Sequence, residues 1–288
     1  MRRFKFFRRK SPAEATLHIF VSILFMAVAL SYLYILVWAF IAGLRTNSEI
    51  VIDPYGLPTT WNWKNYIDVF RMLEVGGHTF IDMLFNSIWF SVVPVLIQQF
   101  TTVTFAYTCE KYKFPLSWLP YTIILIMIAL PIYGNSGAAY KLHHDLGMID
   151  TYAQVITSAG GFSIYFLYYT AYFKNMSWTY AEAAMMDGAD EFQTYFRVML
   201  PQAKPIFGAL FLTSWIAVWN SYDLALVYLP NLPTLPVGIY QFNTEMIFRA
   251  RLDILFAACV LISIPAIVLF VAFNKVITTN VSVGGIKG

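Results

Sequence analysis

Residues 182–205 read EAAMMDGADEFQTYFRVMLPQAKP, a polar stretch in a 288-residue chain that is otherwise strongly apolar. Hydrophobic residues make up 59% of the sequence, aromatic residues 18% and charged residues only 12%. Soluble domains carry about a quarter of charged residues, so most of this chain is expected to lie in lipid. The polar stretch is therefore expected to be a loop outside the membrane between two spanning helices. The formal net charge of +3 is too small to indicate a nucleic-acid partner.

The first half of this loop is predicted to be a short helix. Thr179 followed three residues later by Glu182 has the spacing of a capping box, so the helix is expected to begin near Tyr180. Gly188 is expected to end it, because glycine readily adopts the left-handed conformation that follows a last helical turn. Small side chains would let another surface approach the backbone of this helix closely. They are Ala181, Ala183 and Ala184.

The second half is predicted to be another short helix. Asp190 followed by Gln193 resembles a second cap, and Pro201 is expected to end the helix. Its interior residues include Phe192, Tyr195, Phe196 and Val198. On these grounds two interpretations of the helix pair stay open. The pair forms a knob that another protein contacts, or it forms a hairpin that lies on the membrane face, packs only on its own chain and uses Glu182 merely as a cap.

Six stretches of the chain are apolar and long enough to cross about 30 Å of hydrocarbon, which takes about 20 residues at 1.5 Å rise each. The sequence thus predicts an all-α membrane protein with six transmembrane helices. The predicted spans are residues 17–44, 83–107, 117–140, 151–173, 206–229 and 253–278. Helix breakers interrupt the third and fourth spans, and they are tolerated only where neighbouring groups or water satisfy the freed backbone. These breakers are Pro131, Gly134, Asn135, Gly160 and Gly161.

The distribution of positive charge predicts the orientation of the spans. Six spans place both termini on one side of the membrane, and 13 of the 19 Lys and Arg residues fall on that side. By the positive-inside rule, both termini and the loop of residues 174–205 are expected to be cytoplasmic. The predicted regions are a basic N-terminal segment (1–16), a six-helix transmembrane domain (17–278) and a C-terminal tail (279–288). Without a small-residue cleavage site, the first span is expected to be a retained anchor.

Residues 182–205 resemble the signature cytoplasmic loop of the permease subunits of ABC importers. In that family a Glu-Ala-Ala triplet, an Asp-Gly-Ala triplet, a later aromatic residue and a Leu-Pro pair recur at fixed distances. The resemblance implies that the first helix is a coupling helix, which sits in a cleft of a cytosolic ATPase and passes its movement to the permease. The matching residues are Glu182, Ala183, Ala184, Asp187, Gly188, Ala189, Phe196, Leu200, Pro201 and Pro205.

Much of the remaining chain resembles the carbohydrate-uptake branch of this family, which includes the smaller permease of the maltose importer. The similar stretches include FAYTCEKYKF at residues 105–114, LGMIDTY at residues 146–152 and the C-terminal GGIKG. The entry to the loop departs from the family pattern, because residues 175–178 read NMSW where an Ile-Pro pair is common. The resemblance therefore does not define the geometry of the loop entry.

The resemblance further implies that the chain is one subunit of an importer in a bacterial or archaeal plasma membrane, which translocates a sugar or oligosaccharide. The implied partners are a second homologous permease subunit, two cytosolic ATPase subunits and an extracellular solute-binding protein. ATP and Mg²⁺ would bind to the ATPase subunits, and this chain would bind no cofactor. A permease of the same type for a non-sugar solute stays an alternative, as does a secondary transporter, which has much less support.

A solute path needs polar groups within the bilayer, because a sugar that loses water must find other hydrogen-bond partners. Two predicted spans carry polar stripes at helical spacing. The fifth has Thr213, Ala217, Asn220 and Asp223 beside Trp219 and Tyr222, and the second has Ser87, Ser91, Pro94 and Gln98. For the Ser and Thr residues, hydrogen bonding between helices is the favoured interpretation. The candidate path residues are Trp219, Asn220, Asp223, Ser91 and Gln98.

No catalytic or metal site is predicted. Cys109 and Cys259 lie in separate apolar stretches without metal-ligand spacing, and the adjacent His143 and His144 cannot both lie on one helical face. The sequence contains no Gly-rich phosphate loop and no convincing nucleophile with a base, so the chain is expected to depend on a separate ATPase. The lack of an inverted repeat and of paired carboxylates at mid-membrane argues against a secondary transporter.

Overall fold

A computed structural model describes residues 12–112, 114–130, 136–157, 163–245 and 251–280 of the chain. The regular structure in these ranges is helical, apart from an isolated antiparallel bridge between Val75 and His78. The prediction of an all-α protein is therefore confirmed. In chain order the helices are α1 (Pro12–Gly43), α2 (Asn47–Ile52), α3 (Lys64–Met72), α4 (Phe80–Lys111), α5 (Leu119–Ala129), α6 (Ser136–Asp145), α7 (Tyr152–Thr157), α8 (Ile164–Asn175), α9 (Thr179–Met186), α10 (Glu191–Gln193), the π-helical segment Thr194–Met199, α11 (Leu200–Gln202), α12 (Lys204–Trp219), α13 (Asp223–Tyr228), α14 (Leu235–Glu245) and α15 (Leu252–Asn280).

Three of the described helices are long and apolar enough to cross a membrane, and they coincide with the first, second and sixth predicted spans. They cover Thr16–Gly43, Phe80–Lys111 and Leu252–Asn274. In the described residues, each of the other three predicted spans contains parts of two helices in place of one. The third contains α5 and part of α6, the fourth contains α7 and most of α8, and the fifth contains most of α12 and all of α13.

Several predicted features lie outside the described residues. They are the basic residues at positions 1–11, Lys113, the breakers Pro131, Gly134, Asn135, Gly160 and Gly161, and the tail residues 281–288.

One compact unit consists of Met1–Met72 and Met246–Leu261. Within its described part, the buried side chain of Asn65 on α3 donates hydrogen bonds to the carbonyls of Gly43 (3.0 Å) and Arg45 (2.8 Å). Glu49 accepts from the backbone N–H of Thr46 at 2.9 Å and so completes a capping box at the start of α2. Hydrogen bonds from Thr46 and Thr59 to the Glu49 carboxylate hold its pKa below the usual value, although partial desolvation opposes them. Local polar contacts therefore order the connection between α1 and α3.

The second compact unit consists of Leu73–Glu245 and Ile262–Gly288. α4 is its central helix and packs against α7, α8, α12 and α14. Near the C-terminal end of α4, a buried apolar cluster joins α4 and α8 to the loop that follows α8. Its fully or almost fully buried members include Val103, Ala106, Tyr107, Phe166, Tyr169, Phe173, Ala181, Tyr195 and Met199. The inner side of the loop is thus part of the core of this unit.

Candidate functional site

The first loop helix, α9, begins one residue before the predicted position. The carbonyl of Trp178 accepts hydrogen bonds from the backbone N–H groups of Ala181 (2.8 Å) and Glu182 (3.1 Å). The predicted capping box of Thr179 and Glu182 is wrong, because Trp178 takes the capping position and already has helical backbone angles. The Thr179 hydroxyl accepts instead from the hydroxyl of Ser177 at 2.9 Å. The Glu182 carboxylate therefore has no capping role.

The end of α9 confirms the prediction made for Gly188. Its φ angle is +88°, in the region that favours glycine. The N–H of Gly188 donates to the carbonyl of Met185 and the N–H of Ala189 donates to that of Ala184, both at 3.0 Å. This is the Schellman pattern, which satisfies the last carbonyls of a helix. A Cβ added at Gly188 would meet no heavy atom within 4 Å, so the requirement for glycine within this chain is conformational.

α9 has an inward face and an outward face. Ala181 is fully buried on the inward side, and the neighbouring Trp178 ring lies 6.5 Å from the ring of Tyr107 on α4. Met186 on the outward side is 87% exposed, and Phe192 in the next helix is 73% exposed. The exposed positions include the predicted coupling residues Glu182, Ala183, Asp187 and Gly188, while Ala184 and Ala189 are half-buried. The helix pair therefore packs on its own chain through one side only.

The second loop helix begins as predicted and then changes its winding. Oδ1 of Asp190 accepts a hydrogen bond from the N–H of Gln193 at 2.7 Å, which confirms this cap. After the single turn of α10 the chain becomes π-helical over Thr194–Met199. The half-buried Phe196, a predicted coupling residue, stacks with its ring centroid 6.2 Å from that of Phe100 on α4.

Pro201 does not end the second helix, contrary to the prediction. The chain continues through α11 to Gln202 and then into α12. The π-helical segment shifts the hydrogen bonding, because the N–H of Leu200 donates to the carbonyl of Tyr195, five residues earlier. Pro201 consequently occupies the first turn of α11, where a missing N–H costs little. The loop passes into the fifth predicted span as a nearly continuous helical chain.

Two side-chain hydrogen bonds fasten the loop to the C-terminal end of α4. At the loop entry, Nζ of Lys111 donates to the carbonyl of Met176 at 2.6 Å. In the second half of the loop, the hydroxyl oxygens of Thr104 and Tyr195 lie 2.7 Å apart. Burial raises the pKa of Tyr195, although its hydrogen bond with Thr104 lowers it. The Tyr195 hydroxyl therefore stays protonated and keeps this hydrogen bond at neutral pH.

The fifth predicted span is broken where its polar stripe was expected to continue. Residues 220–222 are not helical, and they separate α12 from α13. The side-chain amide of Asn220 donates to the carbonyl of Ile216 at 2.8 Å, and the hydroxyl of Ser221 donates to Asp223 at 2.6 Å. Asn, Ser and Asp side chains compete with the helix backbone in this way. Asn220 and Asp223 are both exposed.

Three other candidate path residues are less accessible. Trp219 is only 2% exposed, and its Nε1 donates to the carbonyl of Ile262 at 3.3 Å. Ser91 is fully buried, and its hydroxyl donates to the carbonyl of Ser87 at 2.7 Å. Gln98 is half-buried. Trp219 and Ser91 thus pack inside the chain. The predicted hydrogen bond between helices is wrong for Ser91, because its hydroxyl donates only to carbonyls of its own helix.

Gln99, next to Gln98, is a buried polar residue that was not among the predicted candidates. It is fully buried. Its Oε1 accepts from the hydroxyl of Tyr169 on α8, and its Nε2 donates to the hydroxyl of Ser214 on α12, both at 2.7 Å. The predicted stripe on α4 ran from Ser87 through Pro94 to Gln98 and so ended one residue before Gln99. Adjacent residues are about 100° apart around a helix, so a stripe that contains Gln98 does not contain Gln99. Two adjacent glutamines in an apolar span were the available signal.

The sequence of the chain is similar to that of membrane components of transport systems. A family model described as "binding-protein-dependent transport system inner membrane component" matches residues 5–283. The arabinooligosaccharides transport system permease protein AraQ of Bacillus subtilis is 26% identical over 285 residues, which are 97% of this chain and 99% of that protein. The diacetylchitobiose uptake system permease protein NgcG of Streptomyces coelicolor is 24% identical over 255 residues, which are 86% of this chain and 82% of that protein.

The fold is similar to that of a chain in the crystal structure of a bacterial ABC transporter involved in the import of the acidic polysaccharide alginate. The TM-score is 0.75 at 22% sequence identity, and the match covers 92% of this chain and 98% of that chain. At this identity the similarity establishes a shared fold.

Proposed function

Because the chain belongs to the family of binding-protein-dependent transport system inner membrane components, we propose that it is the permease subunit of an ATP-driven importer of a sugar or oligosaccharide. Its relatives are named as permease proteins and not as enzymes. Both of those relatives are named for oligosaccharides, and this supports the choice of solute class.

The proposed topology has six spans in a bacterial or archaeal plasma membrane, with both termini cytosolic. The three long apolar helices supply half of these spans, and the helix pairs in the other predicted stretches would supply the rest. The excess of Lys and Arg on the proposed inner side supports this orientation. It places α9 in the cytosol, at the C-terminal end of α4.

One observation carries the proposal most directly: the motif residues of α9 lie on a face that the chain itself leaves uncovered. Glu182 and Asp187 are exposed, and Met186 projects into the open. Among the described residues, no partner of the Glu182 carboxylate accounts for a glutamate at this position. An outside partner for this face explains these residues, and a cytosolic ATPase cleft is the partner that we propose.

The complete importer would contain this chain, a second homologous permease, two ATPase subunits and an extracellular solute-binding protein. ATP and Mg²⁺ would bind to the ATPase subunits, which would supply the phosphoryl chemistry. This chain would contribute the outward face of α9 and the solute path.

The proposed solute path includes Asn220, Asp223 and Gln98. The break between α12 and α13 leaves backbone groups without helical partners inside a predicted span, and such backbone is tolerated only against protein or water. A sugar hydroxyl that leaves water finds replacement hydrogen bonds at such a place. We leave Trp219 and Ser91 out of the direct path, because the chain buries both side chains.

Two substitutions in the coupling helix test this function. Gly188→Val places a β-branched residue at a φ of +88°, and Glu182→Lys reverses the charge on the outward face. Both variants are expected to insert and assemble but to lose ATP-driven uptake and the ATPase stimulation that the loaded binding protein causes. The assays use the purified complex in proteoliposomes, with arabinooligosaccharides and diacetylchitobiose as the solutes tested.

Gly147→Val is the matched control, because Gly147 also has a positive φ (+66°) and open space around it but lies far from α9 in sequence, between α6 and α7. It carries a similar backbone strain and is expected to keep coupled uptake. Wild-type ATPase stimulation in Gly188→Val or Glu182→Lys would overturn the coupling assignment. If the wild-type complex takes up neither saccharide but transports another class of solute, the sugar assignment is wrong.

A further inference from the structure

One face of α4 contacts the loop on both sides of α9. Thr104, Tyr107 and Lys111 recur three to four residues apart, so they lie on one side of the helix. Thr104 bonds to Tyr195 after α9, and Lys111 bonds to the carbonyl of Met176 before it. The Tyr107 ring lies between these bonds, 4.8 Å from the ring of Tyr195. The loop is therefore attached to α4 at two points.

The π-helical segment aims Tyr195 at this face. Thr194 and Met199 are both fully buried, and Tyr195 is 6% exposed. Residues five apart share a face when the backbone bonds run from i to i+5, so this winding turns Thr194 and Met199 inward together with Tyr195. π-Helical segments of this kind often occur at functional sites.

A second contact, five residues earlier on α4, reaches the helices that flank the loop. Gln99 bonds to Tyr169 on α8, which precedes the loop, and to Ser214 on α12, which follows it. Buried polar groups that are fully hydrogen-bonded strongly favour one arrangement, because breaking the network leaves groups unpaired in a medium without water. α4 is thus tied to the loop itself and to both helices that lead into it.

Resting on the proposed function, we propose that Thr104 and Tyr195 are positioning residues that transmit the movement of α9 to α4. Their hydrogen bond, here called the clamp, makes the second half of the loop and α4 move as one body when the ATPases close. Through its hydrogen bonds to Tyr169 and Ser214, Gln99 then couples the movement of α8 and α12 to that of α4. Without the clamp, the Tyr107 ring still packs against Tyr195 and keeps the loop in place. Ring packing tolerates rotations that a hydrogen bond does not, so α4 follows the loop less closely.

Removal of one hydroxyl tests the clamp with little disturbance of packing. Tyr195→Phe keeps the ring, and Thr104→Val keeps the shape of the side chain. Spin labels at Leu96→Cys on α4 and Arg197→Cys in the π-helical segment, with Cys109 and Cys259 changed to Ser, report the distance between the two elements. Both label sites are exposed. The full importer complex is measured without nucleotide and after trapping with ATP and vanadate.

In the otherwise wild-type complex, the distance between the labels is expected to be the same in both states. In Tyr195→Phe and in Thr104→Val it is expected to change on trapping, and Thr104→Ser, which keeps the hydroxyl, is expected to restore the constant distance. The double variant should behave like either single variant, because both remove the same bond. Solute uptake per ATP should fall by about twofold to tenfold, the range for one lost hydrogen bond.

The controls are Thr101→Val, whose exposed hydroxyl bonds only within α4, and Tyr168→Phe, whose ring is exposed on α8. Both are expected to leave the distance constant. A distance that changes in the wild-type background, or that stays constant in Tyr195→Phe and Thr104→Val, would overturn the clamp. The measurement of label distances requires only ATP hydrolysis by the complex. The clamp can therefore be overturned while uptake by the wild-type complex still supports the proposed function.

Discussion

At the N-terminal end of α4, two side chains hydrogen-bond to backbone groups of Pro233 and Leu235, where α14 begins, whereas at the C-terminal end several aromatic rings pack around Tyr107. Nδ2 of Asn86 donates to the carbonyl of Pro233 at 3.1 Å, and the hydroxyl of Ser87 accepts from the N–H of Leu235 at 2.7 Å. The Asn86 amide oxygen also accepts from the hydroxyl of Tyr152 at 3.3 Å. Every polar group of these two side chains therefore forms a hydrogen bond, and together these bonds fix the position of α4 relative to the start of α14.

The C-terminal end contains more rings and fewer directional bonds. Tyr107 contacts the rings of Phe173 (5.3 Å) and Tyr112 (6.0 Å), as well as those of Trp178 and Tyr195. The hydroxyl of the fully buried Thr194 has no hydrogen-bond partner among the described residues. Ring packing tolerates small rotations that a short hydrogen bond to a backbone group does not.

The difference indicates a division of roles along one helix. Substitutions at the N-terminal end should reduce stability without uncoupling transport from ATP hydrolysis. At the C-terminal end, loss of a hydroxyl should affect coupling where the hydroxyl forms the clamp, and should have no effect where it has no partner. Three substitutions test this division, beginning with the largest expected loss of stability.

Asn86→Leu removes the hydrogen bonds to Pro233 and Tyr152 and leaves the carbonyl of the buried Pro233 without a partner. The free energy of unfolding is expected to fall by about 2 kcal/mol, because each unpaired polar group costs about 1–3 kcal/mol. The apparent melting temperature of the purified complex measures this loss. Asn175→Leu is the control, since the exposed Asn175 bonds only to the carbonyl of Ala171 in its own helix. An unchanged melting temperature with lower uptake per ATP would reverse the division of roles.

Ser87→Ala leaves the N–H of Leu235 without its acceptor and is expected to cost about 1 kcal/mol of stability. Ser91→Ala provides a matched comparison, because Ser91 is equally buried but donates only to carbonyls of its own helix. Thermal unfolding of the two variants should differ, with Ser91→Ala close to the wild type. Equal losses would show that the hydrogen bond to α14 does not stabilise this end of α4.

Thr194→Val should have the smallest effect, because it replaces an unpaired buried hydroxyl by a methyl group of the same shape. Stability is expected to stay within about 0.5 kcal/mol of the wild type or to rise, since removal of an unpaired polar group is nearly neutral or favourable. Coupled uptake should be unchanged. A clear loss of coupling in this variant would mean that the hydroxyl acquires a partner during transport, and ring packing alone would then not describe this end.

Local features of the loop were predictable because their causes are local. The hydrogen bonds around Gly188 and Asp190 join groups at most five residues apart. A short stretch of sequence therefore contains both partners of each bond. The capping box at Thr179 failed because Trp178 extends the helix by one residue, where its ring packs against α4. Pro201 was misjudged because the π-helical winding before it depends on which residues the core buries.

The sequence by itself determined that the chain is an all-α membrane protein, which residues form its polar loop and how α9 ends. Composition and short-range hydrogen bonding decide these properties. Only the tertiary structure decided which polar residues form hydrogen bonds between helices inside the protein. The partners of Gln99 are 70 and 115 residues away in the chain, and Tyr195 meets Thr104 across 91 residues. Sequence spacing carries no information about such contacts, because they form only when helices pack.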